Sequence, residues 1–422
     1  MSSNEFRINL WDIVSPLAKT VDMMSPDLAQ HHMRVAYLAL RIAEQCDVPA
    51  DERRDIVIAA ALHDIGAFSL QERMDILQFE ENSPMRHAIA GYLLLKDFEP
   101  LRNAANIIRY HHLRWLYGKG EECNGEQVVR GSHIVHLADR VAVLMQQGKP
   151  ILGQTETICR MIREREGAVF APHYAEAMRY LADKDYIWLE ATSNWIEPIL
   201  RKRVWTQHKE IDLDGLLHFS HLLCHLIDFK SPFTATHSSG VAASAVELGK
   251  LAKFTPEECI MLRVAANLHD LGKLAIPSEL IEKNGKLTED EWQTMRTHVY
   301  YTYQVLDPIE ALGVITSWGA LHQERLNGTG YPFSYSANEL TLGSRIMAVA
   351  DIFTAITEDR PYRKGMDKET ALNTLATMVA KGEIDETLVA LVRDHFDNIN
   401  SARAEAQQDA RTQYSQFVAA LQ

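Results

Sequence analysis

Two sets of histidines and aspartates recur in the same order along this 422-residue chain. The later set is His237, His269–Asp270, His298, His322 and Asp351; the earlier is His31, His63–Asp64, His87, His111–His112 and Asp139. Imidazole nitrogens with carboxylate oxygens suit first-row divalent ions such as Mn, Fe, Co or Zn. An aspartate beside a histidine can bridge two ions while the histidine binds one. Each His-Asp pair closes an apolar run, IVIAAALHDIG or LRVAANLHDLG, which makes burial the expectation. Buried polar groups without partners are costly. A lone histidine in such a place is usually a satisfied core residue, but a whole set repeating in order is not accounted for in that way.

The recurrence is an internal repeat. His31 and His63–Asp64 match His237 and His269–Asp270 at a spacing of 206 residues. His87 and His111 match His298 and His322 at 211, and GSHIVHLAD, ending at Asp139, matches GSRIMAVAD, ending at Asp351, at 212. The elements that carry these residues read as helices. Apolar residues return every three or four positions, as in Val35, Ala36, Leu38, Ala39, Ile42 and Ala43. Thr255 with Glu258 and Thr288 with Glu291 have the form of capping boxes at helix starts. Alternating strand patterns are scarce. The fold class expected is all-α: two tandem helical domains, residues 1–200 and 212–422, with a boundary in the charged stretch around Arg201–Lys209.

Composition agrees and excludes other classes. The chain has only 21 glycines and 14 prolines, few breakers for its length. The charge of −14 argues against a nucleic-acid polymer as partner, since that needs a basic face to displace counterions. An anionic ligand would instead need metal ions or a local Arg/Lys cluster. No apolar run approaches the ~18 residues of a membrane span, and the opening MSSNEFRINLWD is unlike a signal peptide. The 5 cysteines are scattered, with no CxxC pair, as expected of reduced thiols in a cytoplasm.

On these residues the chain resembles the HD superfamily of metal-dependent phosphohydrolases. Its second half resembles the HD-GYP cyclic-dinucleotide phosphodiesterases, through HDLGK (His269 to Lys273), KNGKLTEDEW, His298, HQERLNGTGYP (His322 to Pro332) and AVADIFTAITEDRPYRK (Ala348 to Lys364). The resemblance implies a helical bundle holding divalent ions, Fe, Mn or similar, two per active site. It implies hydrolysis of cyclic di-GMP or 3′,3′-cyclic GMP-AMP to a linear dinucleotide. Two close ions would polarise the phosphoryl oxygens and acidify a bridging water to give a hydroxide nucleophile. Asp270 would bridge, with His237, His269 and Asp351 on one ion and His298 and His322 on the other. Lys273, one turn on along the same helix face, would meet the phosphate. Arg360 and Arg363 match dinucleotide-contacting positions, and the Gly330–Tyr331 turn would shape the pocket rim.

The departures are specific. Gln323 stands where the family has a second adjacent histidine, and its neutral amide is a weaker ligand. Phe233 replaces a third-ion glutamate, and Glu324 is retained to orient a ligand histidine. The first copy keeps His111–His112 and has Asp27 at a third-ion position, but Ala67 replaces the lysine and no GYP loop follows. Nine and twelve residues after Asp139 come Gly148 and Ile151, not arginines. The expectation is catalysis in the second domain, with a structural, dimerising or regulatory first domain and a homodimer as one arrangement. The alternatives are a non-catalytic cyclic-dinucleotide receptor, or an HD phosphohydrolase acting from the first site.

Overall fold

A computed structural model describes residues 6–23, 29–69, 72, 74, 85–204, 210–229, 235–283, 285–359 and 363–421. The chain divides into two compact units, Asn9–Lys209 and Glu210–Ala420, and residues 6–8 cluster with the second unit rather than the first. Both are helical. The sheet content among the described residues is confined to short pairings such as Glu122–Cys123 with Glu126–Gln127, closed by an Asn124–Gly125 turn with both residues at positive φ. Such an Asn-Gly turn matches the twist of a two-residue hairpin.

In the first unit, α1 (Leu10–Asp22), α2 (His31–Gln45), α3 (Ala50–Leu62), α4 (Met85–Leu95), α5 (Arg102–Arg109) and α6 (Arg130–Leu144) form the repeating core. α7 (Thr155–Arg163), α8 (Pro172–Ala182), α9 (Asp185–Ala191) and α10 (Ile196–Val204) complete it. In the second unit the same core returns as α11 (Leu213–Asp228), α12 (His237–Leu251), α13 (Pro256–Leu268), α14 (Glu289–Leu306), α15 (Gly313–Gly319) and α16 (Leu342–Thr357). α17 (Lys368–Ala380), α18 (Glu386–Asp394) and α19 (Phe396–Ala420) follow. Helices α2 and α3 map onto α12 and α13 residue for residue at the 206 spacing, so the repeat seen in the polar residues is a repeat of helices.

The local physics of these helices is ordinary. Thr255 and Thr288 each form the reciprocal capping box with the glutamate three residues on, which satisfies two otherwise orphaned backbone donors. The central helices bury most of their residues: Val35 to Ala43 in α2 and Ile56 to Leu62 in α3 are at most 8% exposed. Each ends or begins at a candidate ligand histidine, so burial of the apolar helix carries the polar group inside with it.

One close approach fixes the relation between the His-Asp pair and the next histidine. A Cβ on Gly272 would lie 1.9 Å from the carbonyl oxygen of His298, and one on Gly66 would lie 2.2 Å from that of His87. In both copies, then, the glycine two residues after the aspartate lets the chain pass directly over the backbone of the third histidine. Gly272→Ala is expected to force these backbones apart and cost more than about 2 kcal/mol, measured as a lowered melting temperature.

Candidate metal centres

In the second unit α13 ends at Leu268, and His269 and Asp270 lie at its C-terminal end. The Nδ1–H of His269 donates to the carbonyl of Ala266 at 2.7 Å, that of His322 to Gly319 at 2.8 Å, and that of His298 to Met295 at 2.6 Å. A carbonyl can only accept, so the hydrogen sits on Nδ1 and the lone pair on Nε2 turns inward in all three. Two of these nitrogens lie against Asp270: its Oδ2 is 3.1 Å from His269 Nε2, and its Oδ1 is 3.3 Å from His298 Nε2.

His237 opens α12 and meets Asp351 of α16, with Nε2 3.2 Å from Asp351 Oδ1. The buried side chains form two ligand groups, His237–His269–Asp351 and His269–Asp270–His322, each with its donor atoms within 4.8 Å of one another. His269 is common to both. This donor set fits divalent first-row ions; His269 has one inward nitrogen, so it would serve either the group with His237 and Asp351 or the group with Asp270 and His322, and His298, expected with His322 on the other ion, stands 3.3 Å from Asp270 Oδ1.

The electrostatics follow from burial and pairing. Burial works against charge on His237, but the Glu358 and Asp351 carboxylates outweigh it and hold the imidazolium up to about 10. Burial pushes His322 down to about 3, leaving it neutral and able to donate its lone pair. Asp270 is held well below the carboxylate range: burial alone would raise it, but His269 and Lys273 dominate together. The Lys273 ammonium lies 2.6 Å from Asp270 Oδ2. It reaches there from a short 3-10 turn, Leu271–Ala275, and not from the helix of the His-Asp pair as expected, because α13 has already ended.

Several expected residues take other positions. Gln323 turns its amide nitrogen toward the site and donates to Asp351 Oδ2 at 3.1 Å, so it orients a carboxylate. Glu324 does not orient a ligand histidine: its two oxygens accept from the backbone N–H groups of Phe333 at 2.7 Å and Tyr335 at 3.0 Å, pinning the loop around Tyr331–Pro332. Gly330 passes against the backbone of that same glutamate, where a Cβ would lie 2.4 Å from Glu324 Cα, so its requirement is packing. The Tyr331 ring lies 4.4 Å below the Arg296 guanidinium and makes an edge contact with Trp292. Arg363 is exposed and donates to the carbonyl of Ala355 at 2.5 Å. Asp27, Phe233 and Arg360 lie outside the described residues.

The residue sequence reasoning missed is Glu358. Its carboxylate accepts from His237 Nδ1 at 3.2 Å and from the Gln407 amide of α19 at 2.9 Å. A carboxylate behind a ligand histidine fixes its ring and raises its basicity. The signal lay in plain view seven residues after Asp351, directly after the end of α16. A second missed group anchors the helix that carries the first histidine. Asp228, pushed up to about 7 by burial, accepts from Ser238 N at 3.2 Å and Ser238 Oγ at 2.8 Å at the start of α12. Its repeat counterpart Asp22 holds His32 at 2.5 Å.

The first unit builds the corresponding cluster. His31 Nε2 is 3.3 Å from Asp139 Oδ1; His63 Nε2 is 3.1 Å from Asp64 Oδ2. His87 Nε2 is 3.3 Å from Asp64 Oδ1 and 2.8 Å from His112 Nε2. Ligand groups form here too, His31–His63–Asp64 and Asp64–His87–His111–His112, all buried. His31 Nε2, His63 Nε2, Asp64 Oδ1 and Asp139 Oδ1 are buried with no hydrogen-bond partner among the described residues, though they face one another. Inward lone pairs lacking donors are what a divalent cation would satisfy, so these residues also fit an ion. One feature is peculiar to this copy: Arg140, buried, grips Asp139 Oδ2 at 2.6 Å. The second copy has Ile352 at that position.

Models of the HD domain match residues 28–144 and 221–388. The chain is therefore a tandem HD-domain protein. It is similar along nearly its whole length to the 3'3'-cGAMP-specific phosphodiesterase 1 of Vibrio cholerae, with 27% identity over 397 residues and 92% of each chain covered. A cyclic di-GMP phosphodiesterase of Pseudomonas aeruginosa is 34% identical over 170 residues, 40% of this chain and 41% of that one. The crystal structure of a cyclic GMP-AMP specific phosphodiesterase from V. cholerae has the same fold, with a TM-score of 0.64 at 23% identity over 95% of this chain and 98% of that one.

Two measurements check the centres. Glu358→Ala is expected to weaken metal binding about 10- to 100-fold, read by competition with a chromophoric chelator. Stripping the protein of metal is expected to lower its melting temperature. The stabilisation lost would be about 4 kcal/mol where the free ion stood a thousandfold above its dissociation constant.

Proposed function

We propose that the second HD domain is a phosphodiesterase that opens a 3′,3′-cyclic dinucleotide, cyclic GMP-AMP or cyclic di-GMP, to its linear form. The observation that carries this reading is Lys273: an ammonium 2.6 Å from Asp270, at the edge of the ligand cluster, where a phosphate would enter. The names of the relatives support the same substrate class. Divalent ions, when bound, supply polarisation of the phosphoryl group and an acidic water. In the reaction the water oxygen bonds to phosphorus, one P–O ester bond breaks, and the departing alcohol takes up a proton.

The chain's own contribution is positional and electrostatic. His237, His269, Asp270, His322 and Asp351 hold the ligand set, with His298 against Asp270. Glu358 keeps His237 oriented, and Lys273 turns from Asp270 toward the phosphate oxygens as their charge grows. The half-buried Tyr331, with Arg296 above its ring, offers a surface for a purine; Arg363 lies on the exposed segment after α16. The first HD domain lacks the lysine, with Ala67 in its place, and is assigned no part in this step.

The test is turnover of cyclic GMP-AMP and cyclic di-GMP by purified protein with Mn or Fe. Asp270→Ala and His269→Ala are expected to abolish it, His63→Ala to retain it, and Lys273→Ala to lower kcat about 10²-fold. Gln323 favours a second reading, a receptor, because it supplies an amide where an ion would take a second histidine. Tight binding of a cyclic dinucleotide that is recovered intact with every metal tried would establish the receptor and defeat the enzyme.

A further inference from the structure

The first unit holds a cavity of about 310 Å³, open to solvent, that the reading above leaves unused. It opens at the start of α2 and is walled by Gln30, Arg34, Gln146, Lys149, Ile151 and Asn194, among others; none of its lining residues is acidic. Its position in the repeat is informative. Gly148 and Ile151, both lining residues, stand nine and twelve positions after Asp139, as Arg360 and Arg363 stand after Asp351. In sequence, then, the cavity occupies the place of the second copy's arginine segment. In the first copy a cation comes from a different element.

That cation is Arg34. It follows His31 by three positions on α2, so the two side chains share one face of the helix, with Cβ atoms about 5–6 Å apart. Arg34 Nε donates to the carbonyl of Ala191 at 3.2 Å, which orients the half-buried guanidinium. Its terminal nitrogens have no carboxylate partner among the described residues. A half-buried guanidinium whose terminal nitrogens meet no carboxylate among the described residues is suited to a planar or tetrahedral oxyanion.

The opposite wall is held in place. Gln154 accepts from Gln146 N at 2.8 Å and donates to the carbonyls of Gln146 and Lys149 at 3.1 Å each, clamping the loop that carries Lys149. Lys149 is exposed at the rim, its ammonium 2.6 Å from Gln146 Oε1. Gln30 donates to Asn194 at 2.6 Å across the mouth. Among the described residues the cavity is lined by two cations and several amides, with no acidic side chain. Its volume is at the small end for ligand sites.

We propose that this cavity is a separate binding site for a phosphate monoester of mononucleotide size, with Arg34 and Lys149 on the phosphate and the amides of Gln30, Gln146 and Asn194 toward the remainder. The site is independent of the second domain's chemistry and stands whether or not that domain turns over a cyclic dinucleotide.

Titration calorimetry on the full chain tests it, with GMP, AMP and inorganic phosphate as probes. A nucleotide is expected to bind saturably and more tightly than phosphate, and to bind equally well to Asp270→Ala protein, whose second-domain centre is disabled. Arg34→Ala is expected to weaken binding at least 10-fold, and Lys149→Ala several-fold. Lys149 is exposed, so its variant decides the matter even where Arg34→Ala fails to fold. No saturable binding, affinity unchanged in both variants, or affinity lost in Asp270→Ala would overturn the proposal. Phosphate binding as tightly as either nucleotide would overturn the nucleotide part of it.

Discussion

Taking a carboxylate and several imidazoles out of water is the constraint around which both halves of this molecule are arranged. Asp64 and Asp270 each lie at the C-terminal end of a buried apolar helix, 3% exposed, with histidine Nε2 atoms 3.1 and 3.3 Å from their oxygens. The desolvation cost of such groups is several kcal/mol per ion unless opposite charge compensates it. In the second copy Lys273 supplies one cation, 2.6 Å from Asp270. The ligand geometry makes sense as an arrangement completed by divalent cations, because imidazoles whose Nδ1–H groups are bound to backbone carbonyls present only acceptors to the centre.

Around that centre the two copies diverged by exchanging partners for the same carboxylate. Asp351 pairs with the neutral Gln323 amide, while its counterpart Asp139 is gripped by the buried Arg140. Asp228 caps the helix of His237 through Ser238; Asp22 holds His32 instead. In each case an equivalent place in the repeated helical frame is filled by a different chemistry. The frame tolerates this because the core helices are set by apolar burial and by the glycine that passes over the third histidine. The polar partners are then free to vary one at a time.

The same division explains why the cations of the two copies come from different elements. In the second copy a lysine follows the His-Asp pair, and arginines follow the last aspartate. The first has Ala67 and the Gly148–Ile151 stretch in those places. Arg34 stands instead on α2, at a position where the second copy has Gly240 lying against Gln407 of α19. The helix that covers this face in the second unit is what makes a long side chain untenable there.

Sequence alone determined the repeat and the all-α class and singled out the candidate histidines and aspartates, because these are written in residue type and spacing. Histidines and aspartates recurring at 206 to 212 residues need no coordinates to be counted, and the capping boxes at Thr255 and Thr288 are strictly local. What only the tertiary structure decided is which partners converge from distant segments. Glu358 becomes the support of His237 across 121 residues, and Glu324 turns out to pin a loop. Lys273 reaches Asp270 from a turn after the helix has ended. Local pattern specifies each helix and its buried face, but the partner of a side chain depends on how helices far apart in sequence cross, and that is settled by packing.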